Sequence, residues 1–269
     1  MRSKGNKLGK VIVVKIGGAT LGSHDTTIED MVELQRQGKS LVVVHGGGKV
    51  ITDWLEKRGI STRFVHGERV TDEATLEVVI SVLAGLVNKE IVAAINSLGG
   101  NAVGISGVDG AFIQGRIKDK KLGYIGTVVK ITPAPLEVLL KSGYIPVVAP
   151  VSLHLTDKPN KAPKVLNINA DAVAGEIVAA IGAERLVFLT DVVGVCDQSG
   201  NLLPCLSPDE AKALVTSGVA SGWMIPKIKA CLRALSGTSI TRIIDGRQPH
   251  ALLREIEGKG GGTTIKTID

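Results

Sequence analysis

Two glycine-rich turns follow apolar segments near the start of the chain, and both have the composition of an anion-binding site. VIVVKIGGAT carries Lys15 followed by Gly17 and Gly18, and LVVVHGGGKV carries His45 followed by glycines 46–48. Glycines allow the backbone to approach a ligand and to turn its N–H groups towards an anion. The helix-like segment after the second turn adds the N–H groups of a helix start. The pattern therefore predicts a phosphate-binding site with a cation beside it.

Transfer of a phosphoryl group depends mainly on positioning and on positive charge around the transferring group. Lys15 is the first candidate cation, because it ends an apolar strand that should be central in a sheet. Lys227, in GWMIPKIK, is the second, although Lys229 could serve equally. HGGGKV is not a P-loop, since it lacks the GxxxxGK[ST] spacing and has Val50 after its lysine. No GxGxxG motif opens a helix, so a dinucleotide-binding fold fits poorly.

Four further polar residues have side chains suited to such a site. Asp171, in NADAVAG, is either a helix cap or a carboxylate that orients lysines or a metal. Asn167 could supply amide contacts to a polar substrate, and the planar fork of Arg69 suits a carboxylate. His45 is interpreted as a hydrogen-bonded structural residue. Phosphorylation of a carboxylate needs no base, because the acceptor is already ionised at pH 7.

The elements that position these residues alternate between strand and helix along the whole chain. This alternation predicts a three-layer α/β/α sandwich with an open, mainly parallel central sheet. A long helix is predicted over 71–98, capped by Thr71 or Asp72, and a hairpin over 111–131. A short loop is predicted to hold Arg69.

A polar segment, 157–164, predicts a boundary between two lobes, 1–164 and 165–269.

Composition excludes several classes of protein. The 269 residues are 44% hydrophobic and 3% aromatic, with a net charge of +6. Lysines and arginines are dispersed and few aromatic rings are available for stacking on bases, so nucleic-acid binding is not predicted. Three cysteines without a CxxC pair indicate a reducing cytoplasm. No segment predicts a signal peptide or a membrane span.

Eight motifs, taken together in their order along the chain, resemble those of the amino acid kinase family. They cover nearly the whole chain after its first ten residues. They are VKIGGAT, VVHGGGK, GERVTDEATLEVV, LAGLVNKEI, NINADAVAGEI, VFLTDVVGV, GWMIPKIKACLRAL and IIDGRQPHALL. Within the family, the resemblance is to the enzymes that phosphorylate N-acetyl-L-glutamate. It implies the amino acid kinase (carbamate kinase-like) fold and ATP-dependent formation of N-acetyl-L-glutamyl 5-phosphate in arginine biosynthesis. It also implies that Mg²⁺ is carried by ATP, without a separate protein metal site. The N-terminal lobe would bind the amino acid and the C-terminal lobe would bind ATP.

The resemblance assigns roles to individual residues. The catalytic residues would be Lys15 and Lys227, which neutralise the transferring group, and Asp171, which organises both lysines. The substrate-binding residues would be Gly47, Gly48, Arg69 and Asn167. The residues that bind the phosphates and the nucleotide would be Gly17, Gly18, Thr190, Asp191 and Gly194, with Val219, Ala220 and Ser221 closing over the nucleotide.

Some expectations concern where the chain departs from its family. Glu68, before Arg69, stands where the family more often has an uncharged or basic residue, and an acid there could alter how an anionic substrate is held. Arginine-inhibited members carry an additional N-terminal helix, whereas about ten polar residues precede the first strand here. We therefore expect a homodimer without arginine inhibition.

Three other functions remain open at this stage. A related branch of the family phosphorylates glutamate or aminoadipate attached to an acidic carrier protein, which the basic pI near 9.2 would suit; the short hairpin looks more like the free-substrate branch. The second alternative is a silent regulatory subunit that binds arginine or a partner enzyme, and the presence of Lys15, Asp171 and Lys227 argues against it. The third is a uridylate or carbamate kinase of the same fold, against which Arg69 and the NINAD segment argue.

Overall fold

A computed structural model describes residues 10–17, 26–65, 67–155 and 162–267. One predicted site residue, Gly18, lies outside the described residues, as does part of the predicted boundary segment 157–164.

The described residues form thirteen strands and nine α-helices. In chain order, the strands are β1 (Val11–Ile16), β2 (Ser40–His45), β3 (Phe64–Val65), β4 (Glu68–Arg69), β5 (Ala102–Gly107), β6 (Ile113–Ile117), β7 (Ile125–Ile131), β8 (Ile145–His154), β9 (Val165–Ile168), β10 (Arg185–Thr190), β11 (Cys205–Leu206), β12 (Ile240–Asp245) and β13 (Thr263–Lys266). The α-helices are α1 (Thr27–Arg36), α2 (Gly48–Lys57), α3 (Glu73–Ile80), α4 (Asn88–Ser97), α5 (Ala134–Lys141), α6 (Ala170–Ile181), α7 (Pro208–Thr216), α8 (Met224–Ala234) and α9 (Ala251–Ile256).

Five parallel strands form the centre of the main sheet, in the order β12, β10, β1, β2 and β8. Every residue of β1 is buried, because helices cover both faces of the sheet. Val11 and Val13 belong to the core beneath α5, α6, α7 and α8. Ile12 and Val14 belong to the opposite core, beneath the other five helices. The predicted three-layer α/β/α sandwich with a mainly parallel sheet is confirmed.

The ends of the sheet are antiparallel or mixed. At one end, β13 pairs antiparallel with β12 and parallel with β11. At the other end, β8 continues past β2 and pairs with β6 and β9, and the predicted 111–131 hairpin, β6–β7, joins them. The sequence did not indicate β9, β11 or β13. These strands have only two to four residues, too few to display an alternating pattern.

The segment that holds Arg69 is a small hairpin, β3–β4, in which Phe64 is the partner of Arg69. The prediction of a loop was wrong here. Each strand has two residues, so the local sequence carries no strand periodicity. The hairpin pairs separately from the main sheet.

The predicted long helix extends from α3 through a π-helical segment, Ser81–Val87, into α4. Its N-cap is Asp72, whose side chain accepts a hydrogen bond from the N–H of Thr75 at 2.8 Å. By length and composition alone, this helix could cross a membrane. Its residues Val79 and Ile95 are, however, fully buried in the core next to the sheet, as expected for a core helix.

Candidate active site

A cavity of about 520 Å³ lies at the carboxyl ends of β1, β2 and β10. The N-termini of α2, α6 and α8 also line it. In open α/β sheets, ligands bind outside the carboxyl ends of strands, where the strand order changes direction. β1 lies between β2 and β10 and occupies such a position. Three converging helix N-termini bring positive partial charge, so the cavity is suited to an anionic ligand.

Two lysines meet one carboxylate in this cavity. Lys15 Nζ lies 2.7 Å from Asp171 Oδ1, and Lys227 Nζ lies 3.3 Å from Asp171 Oδ2. Burial opposes ionisation of Asp171, but the two adjacent ammonium groups overcome this effect and hold its pKa below the ordinary value. Asp171 is therefore an anion at neutral pH, with both oxygens directed at cations.

Local sequence explains how these three side chains meet. Strand alternation places Lys15 on the same face of β1 as Val11 and Val13, the face that α6 and α8 cover. Asn169 caps α6 by accepting hydrogen bonds from the N–H groups of residues 171 and 172. Asn169 is therefore the cap, and the carboxylate of Asp171 is left to the lysines.

Close packing of α6 on α8 positions Lys227. A Cβ atom on Gly175 would lie 2.7 Å from the carbonyl oxygen of Ala230, so only glycine allows the two helices to approach this closely. The ammonium group of Lys227 also donates to the carbonyl of Trp223 at 3.2 Å. Two acceptors thus fix its position. The alternative lysine in the same motif, Lys229, is not among the residues that line the cavity.

Arg69 forms a second cationic wall. Its guanidinium donates to the carbonyl of Gly48 at 2.8 Å and to Thr52 Oγ1 at 2.9 Å, and it lies 4.7 Å from the centre of the Phe64 ring. Burial lowers the pKa of Arg69 from its ordinary value. Among the described residues, no carboxylate forms an ion pair with this guanidinium, so its charge remains available to an anionic ligand.

Asn167 lines the same cavity from β9. Its amide donates to Thr71 Oγ1 at 3.2 Å, and the hydroxyl of Thr71 donates to the carbonyl of Arg69 at 2.8 Å. The three residues thus form one connected polar wall.

The HGGGK turn enters α2 at Gly47 and lines the cavity. The first N–H groups of a helix have no intrahelical acceptor, and those of α2 begin at Gly48 beside the cavity. A Cβ atom on Gly47 would lie 2.6 Å from Leu83 Cδ2, so a side chain here would displace Leu83 of the π-helical segment.

His45 is buried behind this turn. Its Nδ1 contacts the carbonyl of Gly46 at 2.9 Å, and its Nε2 contacts the amide of Asn88 at 3.2 Å. These partners fit a neutral ring that donates from Nδ1 and accepts at Nε2. Burial lowers its pKa to about 4. The interpretation of His45 as a structural residue agrees with this geometry.

The predicted phosphate and nucleotide residues divide into two groups. Gly17, Thr190 and Asp191 line the cavity. The N–H of Gly17 was predicted to contact a phosphate. It donates instead to the carbonyl of Leu189 at 3.1 Å, as part of the pairing between neighbouring strands. The hydroxyl of Thr190 donates to backbone carbonyls, including that of Ile244 at 3.0 Å, and shapes the turn after β10.

Gly194 and residues 219–221, the remaining predicted nucleotide residues that the structure describes, do not line this cavity. Gly194 has φ of 146°, and a Cβ atom there would lie 2.7 Å from both Leu202 and Thr263, so packing alone accounts for this glycine. Val219, Ala220 and Ser221 lie in the turn between α7 and α8, with Ala220 buried. Their roles towards a nucleotide stay predictions.

Comparison with known proteins places this geometry in a family. The model of the amino acid kinase family matches residues 10–245. The chain belongs to the amino acid kinase family.

An acetylglutamate kinase from Dehalococcoides mccartyi is 49% identical over 255 residues, which cover 95% of this chain and 94% of that protein. An acetylglutamate kinase from Cereibacter sphaeroides is 46% identical over 266 residues, covering 97% and 89%. The crystal structure of N-acetylglutamate synthase from Neisseria gonorrhoeae, complexed with coenzyme A and N-acetyl-glutamate, superposes with a TM-score of 0.83. It is 26% identical, and the match covers 97% of this chain and 60% of that one. The predicted family and fold are both confirmed, and membership of a kinase family implies the use of ATP.

Two contacts between side chains at the cavity were not predicted from the sequence. Glu68 lines the cavity and forms an ion pair with Lys118 at 2.7 Å, so its charge beside Arg69 is compensated. Phe64 and Trp223, which also line it, contact each other edge to face, with ring centres 6.1 Å apart. Each pair joins segments that are remote in sequence, and local patterns cannot reveal such contacts. The unusual acid at position 68 was the only available signal.

Proposed function

We propose that this protein is an acetylglutamate kinase, which transfers the γ-phosphoryl group of ATP to the side-chain carboxylate of N-acetyl-L-glutamate. The products are N-acetyl-L-glutamyl 5-phosphate and ADP, in arginine biosynthesis. One observation carries the proposal: Lys15 and Lys227, paired with the buried Asp171, share a cavity with Arg69, which forms no ion pair with any described carboxylate. The identity of 46–49% to acetylglutamate kinases over nearly the whole chain supports the choice of substrate.

In the proposed reaction, a carboxylate oxygen of the substrate attacks the γ-phosphorus of ATP. A bond forms between these atoms, the bond from phosphorus to the β,γ-bridging oxygen breaks, and its electron pair leaves with ADP. Lys15 and Lys227 neutralise charge on the transferring group, which is the main contribution a protein makes to phosphoryl transfer. Asp171 orients both ammonium groups, and its oxygens are engaged by them, so it is not a base. None is needed, since the acceptor is ionised at pH 7.

The acceptor lies on the side of the cavity formed by the HGGGK turn. Arg69 binds its α-carboxylate, since a guanidinium matches the geometry of a carboxylate. Asn167 contributes its amide to the same group. Gly47 and Gly48 bring the start of α2 close to the reacting carboxylate, and the positive end of that helix favours an anion there.

Magnesium arrives with the nucleotide in this proposal. The described residues contain no group of three or more His, Cys, Asp and Glu side chains able to hold a metal. A magnesium ion bound by phosphates needs no such group, because phosphates and water supply most of its ligands. Asp191 is a carboxylate at the cavity able to contact that ion. The ion contributes neutralising charge on the phosphates, alongside the lysines.

The wider arrangement belongs to the same proposal. Residues 1–164 form the lobe that binds the amino acid and carries the dimer contact, and residues 165–269 form the lobe that binds ATP. The cavity draws its lining from both parts of the chain. The protein acts as a homodimer in the cytoplasm, and light scattering after gel filtration measures its oligomeric state.

A hydroxamate assay tests the reaction itself. Protein, ATP, Mg²⁺ and hydroxylamine are incubated with N-acetyl-L-glutamate, and hydroxylamine traps the acyl phosphate while a coupled assay follows ADP. We expect ADP and hydroxamate in equal amounts. Free L-glutamate, carbamate and a carrier-linked aminoadipate serve as alternative acceptors, and the Lys15→Met variant detects contaminating kinases. Turnover restricted to the carrier-linked acceptor, or ADP release independent of any acceptor, would refute the proposal.

A further inference from the structure

An aromatic contact joins the β3–β4 hairpin to the start of α8 across the cavity. The rings of Phe64 and Trp223 have centres 6.1 Å apart and planes at 80°. Trp223 also covers the turn of the hairpin, since a Cβ atom on Gly67 would lie 3.9 Å from its ring. Phe64 is 45% exposed and Trp223 is 59% exposed, and neither belongs to the two buried cores. Core packing therefore does not explain the contact.

Each residue of the pair also contacts a cation of the proposed active site, Phe64 through its ring and Trp223 through its main chain. The Arg69 guanidinium lies over the Phe64 ring, 4.7 Å from its centre. On the other side, Lys227 Nζ donates to the main-chain carbonyl oxygen of Trp223, one turn earlier at the N-cap of the same helix, at 3.2 Å. A continuous set of contacts therefore runs from Arg69 through Phe64 and Trp223 to Lys227.

We propose that Trp223 is a positioning residue. It fixes the position of Arg69, which binds the acceptor, relative to Lys227. The proposal rests on the proposed function, in which Arg69 binds the acceptor and Lys227 faces the transferring phosphoryl group. A phosphoryl acceptor reacts only when it is held in line with the group it receives. The ring contact fixes the distance between the hairpin and the start of α8. Phe64 is the second member of this positioning pair.

A double-mutant cycle tests the coupling. Phe64→Leu, Trp223→Leu and the double variant are compared with the unaltered protein for kcat and for KM with N-acetyl-L-glutamate and with ATP. Edge-to-face aromatic pairs contribute on the order of two- to tenfold in an equilibrium. We therefore expect each single variant to lose about that factor in kcat/KM for N-acetyl-L-glutamate. Phe64→Leu should have at least twofold less effect in the Trp223→Leu background, because the contact is already absent there.

Two further variants separate positioning from a structural role. Trp223→Phe keeps an aromatic ring and should recover most of the lost kcat/KM. Trp54→Leu alters the other tryptophan, which does not line the cavity, and should leave kcat/KM within twofold of the unaltered protein. Urea midpoints of all variants should remain close to that of the unaltered protein, since both rings are about half exposed and lie outside the two cores.

The outcomes separate this proposal from the proposed function. Strictly multiplicative losses in the double variant, or no recovery with Trp223→Phe, would overturn the coupling even if the unaltered protein turns over N-acetyl-L-glutamate. Absence of turnover by the unaltered protein would instead refute the proposed function and this proposal with it. Equal losses from Trp54→Leu would also overturn it, because they would show a general effect of removing an indole.

Discussion

Replacing Lys15 by methionine tests the central electrostatic claim. Methionine keeps an unbranched side chain and removes the ammonium group that lies 2.7 Å from Asp171. Loss of one preorganised donor to a transition-state charge lowers kcat by about 10²–10³, or ~2.7–4 kcal/mol. Asp171 keeps Lys227 at 3.3 Å, so its carboxylate remains paired. We therefore expect kcat to fall by about 10²–10³ while KM for either substrate changes by less than about threefold, since the lost interaction belongs to the transition state.

The assay is steady-state ADP release, with each substrate varied at saturating levels of the other. Lys49→Met is the matched control, because Lys49 is an exposed lysine that also lines the cavity. If positive potential in the cavity alone were responsible, both variants would lose similar activity. A similar loss in Lys49→Met would refute the specific role of Lys15. A change confined to KM would refute it as well, because it would place Lys15 in ground-state binding only.

Three further perturbations follow from the same geometry. Asp171→Asn removes the counter-charge of the buried Lys15 and the partly buried Lys227, and urea titration should show a loss of about 3–5 kcal/mol in unfolding free energy; a loss no larger than that of Lys15→Met would contradict the arrangement. The folded-state pKa of His45 is about 4, against an ordinary 6.5, so the unfolded chain binds a proton that the folded chain does not. Its contribution is fully present above about pH 6.5 and is lost as the pH falls towards 4, by about 3 kcal/mol in total; His45→Gln should flatten this part of the stability profile, and an unchanged slope would refute the assignment. Lys118→Met leaves the Glu68 carboxylate uncompensated beside Arg69, and KM for N-acetyl-L-glutamate should rise about two- to fivefold. Adding Glu68→Gln should reverse that rise, and a KM that does not respond to either change would show that the ion pair plays no part in binding.

The places of Lys15 and Asp171 at one cavity were predictable because each sits in a motif with a local explanation, whereas for Lys227 the motif left Lys229 as an equal alternative. An apolar strand that ends in Lys15 can only be central, and the carboxyl end of a central parallel strand is where α/β proteins bind ligands. For Asp171, local reasoning left a helix cap as an alternative. Two hydrogen bonds to Asn169 decide the question, and both depend on the backbone conformation at the start of α6, which composition does not specify.

The hairpin and its contacts were not predictable for a different reason. Two-residue strands have too few positions to show a period, and the contacts of Phe64 and Glu68 reach parts of the chain that only the tertiary fold brings near. Trp223 illustrates this limit. Its motif was recognised through Lys227, yet nothing local indicates that its ring meets an aromatic residue from the first third of the chain.

The charge balance of the cavity explains why a kinase of this design retains a buried carboxylate between its lysines. Two ammonium groups and one carboxylate leave a net charge of +1 at this point. Without Asp171, two desolvated cations would repel each other and would move apart or lose protons. With it, both are held at short distance before any phosphate arrives, so little reorganisation is needed during transfer. The same pairing lowers the pKa of Asp171 despite its burial. Asp171 is thereby made a poor proton acceptor, which fits a reaction whose nucleophile is already ionised, such as a carboxylate.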